Sequence, residues 1–227
     1  MKILAFDTAG PALSVAVSDG GRTLAAMHCP VARGHAELLL PAIEGVLKAA
    51  RLPLCGVDAI ATTVGPGSFT GLRTGLAGAQ GLSLAINKPF VGIGRFEALA
   101  EATGVFGLRP VVVAMDSKAR SLYVQAFAAS AALAPGWPQE GLNRAPDAFA
   151  DVVWPDNAVL IGDGAAALLA CGAPLEDSGR RQLPAAAVAA CACRLLASGQ
   201  PGLPPQPLYL APPRAVKPRD GGRLRAR

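Results

Sequence analysis

The chemistry this chain could do is concentrated at a few turns. The first is Gly65-Pro66-Gly67-Ser68-Phe69-Thr70-Gly71-Leu72-Arg73, which joins a run of small and β-branched residues to a helical pattern. A strand, a glycine turn and a helix start gather several free backbone N–H groups at one spot. Together with the helix dipole, such a spot favours an anion. Ser68 and Thr70 are both suitable N-cap residues for the helix that follows. The plainer reading is a tight strand-to-helix turn that binds nothing. Two acids stand alike at the ends of apolar runs: Asp7 after Ile3-Leu4-Ala5-Phe6, and Asp116 after Val111–Met115. Each precedes a turn of small residues, and the simplest role for each is to cap that turn.

Metal and nucleophile chemistry has thin support. The two histidines, His28 and His35, are seven residues apart, one in a strand pattern and one at a helix start, so they form no metal-binding pair. The cysteines are Cys29, Cys55, Cys171, Cys191 and Cys193, an odd number without a Cys-x-x-Cys pair. They read as reduced, mostly buried thiols of a cytoplasmic protein, neither a disulfide framework nor a zinc site. No catalytic residue and no metal site is assigned.

The 227 residues suffice for one large or two small domains, and 52% hydrophobic with 16% charged residues supports a sizeable core. The net charge of +5 suggests a nucleic-acid binder until it is located. Six basic residues (Arg214, Lys217, Arg219, Arg223, Arg225, Arg227) against one acid, Asp220, place all of it in residues 212–227. The rest of the chain is balanced, unlike an autonomous phosphate-backbone binder. No apolar stretch has the length and purity of a membrane span, and a soluble cytoplasmic protein is expected.

Elements follow from periodicity. Strands are expected at 2–7, 13–18 and 22–28, with Asp19-Gly20-Gly21 as a hairpin turn. A helix over 35–50 carries Leu39, Ile43, Val46 and Leu47 on one face, and Leu38, Leu40 and Ala42 widen its apolar sector. That breadth requires deep burial or a second partner surface. A strand at 57–64 leads into the glycine turn and a helix to about Asn87. In that helix Gly71, Gly75 and Gly78 share one stripe, each costing roughly 1 kcal/mol of helix propensity against alanine. Close approach of another element, inside the chain or from a partner, would offset that cost. A strand at 90–93 and a short helix at 96–102 follow, then a linker at 104–110. The second half repeats the opening with strands at 111–116 and 121–128. Residues 129–146 read as irregular, 159–161 as a strand, 165–171 and 184–197 as helices, and 208–210 as a last strand or extended segment. The tail is expected to be disordered.

Two halves of this kind suggest the actin-like ATPase (ribonuclease H-like) fold, an α/β class with a mixed sheet flanked by helices in each half. The division expected is 1–105, 106–211 as a smaller second half, and 212–227 as a basic tail. Within that class, Ile3–Thr8, His35, Gly65–Arg73, Met115–Arg120, Gly162-Asp163-Gly164 and Pro207–Leu210 resemble the bacterial TsaB (YeaZ) family. The Gly65–Arg73 run is the specific piece, and the others support it by order and spacing.

The resemblance implies an accessory subunit for making N6-threonylcarbamoyladenosine at position 37 of tRNA, without catalysis of its own. It implies pairing with the catalytic paralogue TsaD and with the ATPase TsaE, and contact with tRNA only through the complex. The pairing surface would lie on the first-half helices, here Leu39, Ile43, Val46, Leu47, Gly71, Leu72, Gly75, Gly78 and Leu82. For the chain alone, both a homodimer through the same helices and a monomer stay open. Asp7, Thr8, Gly65, Gly67, Ser68, Asp116, Gly162 and Gly164 would be the remnant of a nucleotide or phosphate site. No cofactor is expected, with ATP confined to a shared interface in the complex. The alternative is an ATP-dependent small-molecule kinase or ATPase of the same fold, using Asp7 and Asp116 around metal and phosphate. The short second half leaves little room for a full nucleotide subdomain.

Overall fold

A computed structural model describes residues 1–31, 33–118, 120–129 and 141–210. Strand β1 (Lys2–Asp7) pairs antiparallel with β2 (Ala12–Asp19), from Lys2 opposite Asp19 to Asp7 opposite Ser14. β2 pairs with β3 (Arg22–Pro30) through the expected Gly20-Gly21 turn, where both glycines have positive φ. Helix α1 (His35–Ala49) then leads to β4 (Ala59–Gly65), parallel to β1. Helix α2 (Phe69–Ile86) leads to β5 (Phe90–Gly94), parallel to β4, and α3 (Arg95–Ala102) follows directly.

The second half repeats this plan in shorter pieces. β6 (Val111–Asp116), β7 (Leu122–Phe127) and β8 (Leu142–Arg144) form an antiparallel run. β9 (Val159–Ile161) lies parallel to β6, and β10 (Glu176–Asp177) parallel to β9. Helices α4 (Ala165–Ala170) and α5 (Ala185–Ala197) complete it. The strand orders are β3-β2-β1-β4-β5 and β10-β9-β6-β7-β8, the same connectivity in both sheets.

The central strands are apolar on both faces because both faces are covered. On β1, Ile3 and Ala5 enter a core shared by the two sheets, with α3, α5 and Val111, Val113 and Met115 of β6. Leu4 and Phe6 point the other way, into a core closed by α1 and α2. A third core packs β6, β7 and β9 against α4, Phe149 and Trp154. Helix α5 lies against β1 and β2 although its sequence belongs to the second half. Its first N–H, on Ala185, donates to Ser14 Oγ of β2 at 2.8 Å, giving the helix start a partner from the opposite end of the chain.

Several expectations need correction. Residues 142–144 are not irregular but form β8 on the edge of the second sheet. Of the two forms expected for residues 208–210, a last strand or an extended segment, the strand is absent. These residues run extended across the first sheet, with Leu208 N–H donating to the Val64 carbonyl at 2.7 Å and Leu203 bridging Gly92. Only Cys191 is buried; Cys29 and Cys55 are exposed and all five thiols are free. The basic tail at 212–227 lies outside the described residues.

Candidate functional site

The turn after β1 and the start of α2 are built against each other. Ser68 is the N-cap, its hydroxyl accepting from Gly71 N–H at 3.3 Å. Ser68 N–H itself donates to the Ala9 carbonyl at 2.9 Å, and Leu72 N–H to the Ser68 carbonyl at 2.8 Å. In return, the Thr8 hydroxyl donates to the Gly71 carbonyl at 2.7 Å. The glycines allow this approach. A Cβ on Gly71 would collide with the Thr8 carbonyl, and one on Gly67 would lie 2.7 Å from the Ala9 carbonyl oxygen. Gly65, at φ +130°, faces the Leu208 carbonyl. The spot where an anion cradle is expected is thus filled by the chain's own Thr8-Ala9 turn.

Asp7 lies deep in this junction, 2% exposed. Its Oδ1 accepts from the Thr63 hydroxyl at 2.5 Å and from Ala9 N–H at 3.3 Å, the second bond capping the turn. Its Oδ2 faces Arg95 Nε at 3.5 Å, and Arg95 is itself buried. Arg95 Nη1 donates to Met115 Sδ at 3.3 Å, which ties the end of β1 to the end of β6.

Asp116 closes the second half in a parallel way but nearer the surface. Its Oδ1 accepts from Lys118 N–H at 2.7 Å, again capping a turn, and its Oδ2 pairs with Lys118 Nζ at 2.7 Å. Partial burial pushes the Asp116 carboxyl up, but the two hydrogen bonds from Lys118 outweigh it and hold it below the ordinary carboxylate range. The Lys118 ammonium is held above its ordinary value, first by the Asp116 bond. Asp163 bonds the Asp116 N–H at 2.9 Å and lies 3.8 Å from Lys118 Nζ. Gly162 and Gly164, expected to be remnants of a nucleotide loop, press on β6. A Cβ on Gly162 would collide with the Ala114 carbonyl, and Gly164 N–H donates to that carbonyl at 3.0 Å.

Most of the residues assigned to a partner face inward. Leu39, Ile43, Val46 and Leu47 are buried in the core beneath α1, and Leu72 and Gly71 are buried under α2. The glycine stripe packs within the chain: Gly75 faces the hydroxyls of Thr8 and Thr62, and Gly78 faces Leu39 of α1. Leu82 is partly buried against the same core. The face of each helix with the strongest apolar period is the face its own sheet covers. The outward faces carry Leu38 and Leu40 on α1 and Leu84 on α2, 45%, 53% and 82% exposed. They also carry Gly45 and Gly81, where an added Cβ would meet nothing within 4 Å.

His28 bonds the Gln182 side chain through Nε2, and His35 opens α1. Among the described residues no three His, Cys, Asp or Glu side chains are placed to hold a metal ion, and no helix is long and apolar enough to cross a membrane. A cavity of about 240 Å³ between β5, α3 and α5 is lined by Ile93, Glu97, Phe106, Cys191 and Leu203, and neither Asp7 nor Asp116 reaches it.

Two like-connected sheets with an acid at the end of each first strand define an actin-like ATPase fold. The activator of 2-hydroxyisocaproyl-CoA dehydratase from Clostridium difficile, solved with bound ADPNP, shares that fold at a TM-score of 0.52 and 11% identity, over 88% of this chain and 97% of that one. YeaZ from Pseudomonas aeruginosa matches at a TM-score of 0.76 and 26% identity, covering 92% of this chain and all of that one. A second Pseudomonas aeruginosa structure, described as similar to the peptidase YeaZ, matches at 0.77 and 28%, over 92% and 99% of the two chains. In sequence, the tRNA threonylcarbamoyladenosine biosynthesis protein TsaB of Escherichia coli K12 is 37% identical over 125 residues, 54% of this chain and 53% of that one. A family model for TsaD, tRNA N6-adenosine threonylcarbamoyltransferase, matches residues 30–134. In sequence over part of its length and in fold over most of it, the chain is similar to TsaB and YeaZ proteins. It spans about half the length of the curated relatives it matches.

Proposed function

We propose that this chain is an accessory, noncatalytic subunit of bacterial tRNA N6-threonylcarbamoyladenosine formation in the cytoplasm. It would support a TsaD-type catalytic subunit together with TsaE and meet tRNA only through that assembly. The likeness to TsaB and YeaZ proteins supports the pathway. The observation that carries the noncatalytic part is the state of Asp7: its Oδ1 accepts from Thr63 and Ala9, and its Oδ2 faces the buried Arg95 guanidinium.

The pairing surface in this reading is the outward face of α1 and α2. Gly45 and Gly81 support it. Each lowers helix propensity by about 1 kcal/mol relative to alanine, and nothing inside the chain requires the missing side chain. A partner backbone approaching closely gives both glycines a role, with Leu38, Leu40 and Leu84 as the apolar contacts around them. A second copy of the chain is the natural occupant of the same face when the partner is absent.

Reconstitution of the tRNA modification with and without this chain tests the function. Capture of the TsaD subunit by wild type, Gly45→Leu and Gly81→Leu tests the surface. Loss of the modification on omission and loss of capture by folded variants are expected. Full modification without the chain would sink the reading.

A further inference from the structure

The fold family implies a nucleotide with its metal between the ends of β1 and β6, and the residues present do not fit one. Oδ1 of Asp7 already accepts two hydrogen bonds, and Oδ2 faces a guanidinium. The Thr8 hydroxyl is engaged by the Gly71 carbonyl, and Ser68 N–H by the Ala9 carbonyl. The guanidinium also fills the space beside Gly10, where an added Cβ would collide with Arg95 Nη2. A buried carboxylate in such a place needs a positive partner, and a metal–phosphate group would be one source of it. Here the partner is a side chain. The second acid repeats the pattern independently, with Lys118 Nζ on Asp116 and near Asp163.

We propose that Arg95, with Lys118 in the shallower half, is the chain's built-in replacement for the cation that related folds hold between these strand ends. The chain by itself therefore takes neither a divalent metal nor a nucleotide phosphate at this junction. Arg95 does more than neutralise. Its bond to Met115 Sδ makes the same side chain a tie between the two halves, a role a dissociable ligand would fill only when bound. The inference is independent of the pairing surface, because it concerns the chain alone.

The test titrates Mn²⁺ into the full chain, following the free-ion electron paramagnetic resonance signal, and measures thermal unfolding with and without Mg-ADP. Wild type is expected to take up no Mn²⁺ at millimolar concentration and to show no shift in Tm with Mg-ADP. Arg95→Ala uncovers Asp7 and is expected to bind Mn²⁺ at least about tenfold more tightly than wild type. Asp7→Asn in the same background should abolish that gain, and Arg95→Lys, which keeps the charge, should not show it. Uptake of Mn²⁺ or Mg-ADP by wild type with an affinity that Asp7→Asn removes overturns the proposal. So does a folded Arg95→Ala that gains nothing. The wild-type and Arg95→Lys arms decide the matter even if Arg95→Ala does not fold.

Discussion

Single residues in α2 separate two kinds of glycine. Gly71 lies against the Thr8 carbonyl, so Gly71→Ala forces helix and turn apart and is expected to cost about 1–3 kcal/mol or more. Gly81 faces open space on the same helix, so Gly81→Ala should stabilise the isolated chain by about 0.5–1 kcal/mol. Urea denaturation of the two variants should give changes of opposite sign. Cys191 makes a pH prediction. Burial pushes its thiol up to about 12, despite the opposing pull of Arg194. The unfolded chain then loses this proton at lower pH than the folded one. The contribution to stability is full below the ordinary thiol value and declines as pH rises towards about 12. The decline is at most about 1.4 kcal/mol per pH unit. Denaturation of wild type and Cys191→Ala between pH 8 and 11 checks it, with a steeper loss expected for wild type. At this scale the sequence was only partly legible. Asp7 and Asp116 stood out as strand-end acids, and both do cap their turns. Arg95 did not stand out, although a lone charge directly after the apolar run Phe90-Val91-Gly92-Ile93-Gly94 was a usable signal. A buried cation at the end of an apolar strand needs a buried anion beside it.

At the scale of elements, the extended segment 203–210 holds the glycine turn from outside. Tyr209 stacks on Phe69, the first residue of α2, with ring centroids 5.2 Å apart, and the Arg73 guanidinium sits 3.7 Å from the centre of that Phe69 ring. Tyr209→Ala is expected to lower stability by about 0.5–1.5 kcal/mol in thermal denaturation, and Tyr209→Phe to retain it. Hydrogen exchange should rise at Val64–Phe69 in the alanine variant. Strong periodicity made β1 to β5, α1 and α2 readable within a residue or two. The short edge strands were not readable. β8 reads Leu-Asn-Arg and β10 Glu-Asp, and neither carries an apolar alternation, because each is defined only by the neighbour it pairs with. The glycine stripe signalled close approach of another element without saying which, and within the chain that element is the Thr8-Ala9 turn together with Thr62 and Leu39. Close backbone approach looks the same in sequence whether it serves the chain's own turn or another protein. Gly45 and Gly81, which break no periodic pattern, were passed over for the same reason.

At the scale of the molecule, the two sheets share one core. Ile3, Ala5, Ala59 and Ala61 of the first sheet and Val111 and Val113 of the second meet there with α3 and α5 between them. The full chain is therefore expected to unfold in a single transition. A fragment ending at residue 105 would leave the inner face of the first sheet bare of α5. It is expected to bind a hydrophobic dye and to lack a cooperative melt, whereas an independent melt of that fragment would contradict the shared core. Repetition of the strand–acid–turn motif made the two-half plan legible from sequence. The exchange of α5 onto the opposite sheet was not, since no local pattern in residues 185–197 says which sheet will receive it.

The placement of α5 also sets an order of events during synthesis. Strands β1 to β5 are made first, but the helix that covers their inner face ends only at Ala197, far downstream of Ile93. At 5–20 residues per second, the interval between Ile93 and Ala197 is roughly 5–20 s. For that time Ile3, Ala5, Val91 and Ile93 form a sticky strip on a nascent chain that cannot yet finish its fold. A ribosome stalled anywhere in the second half would hold this strip exposed. Such a product is a natural client for chaperones that bind emerging polypeptides, and a natural substrate for proteolysis once released.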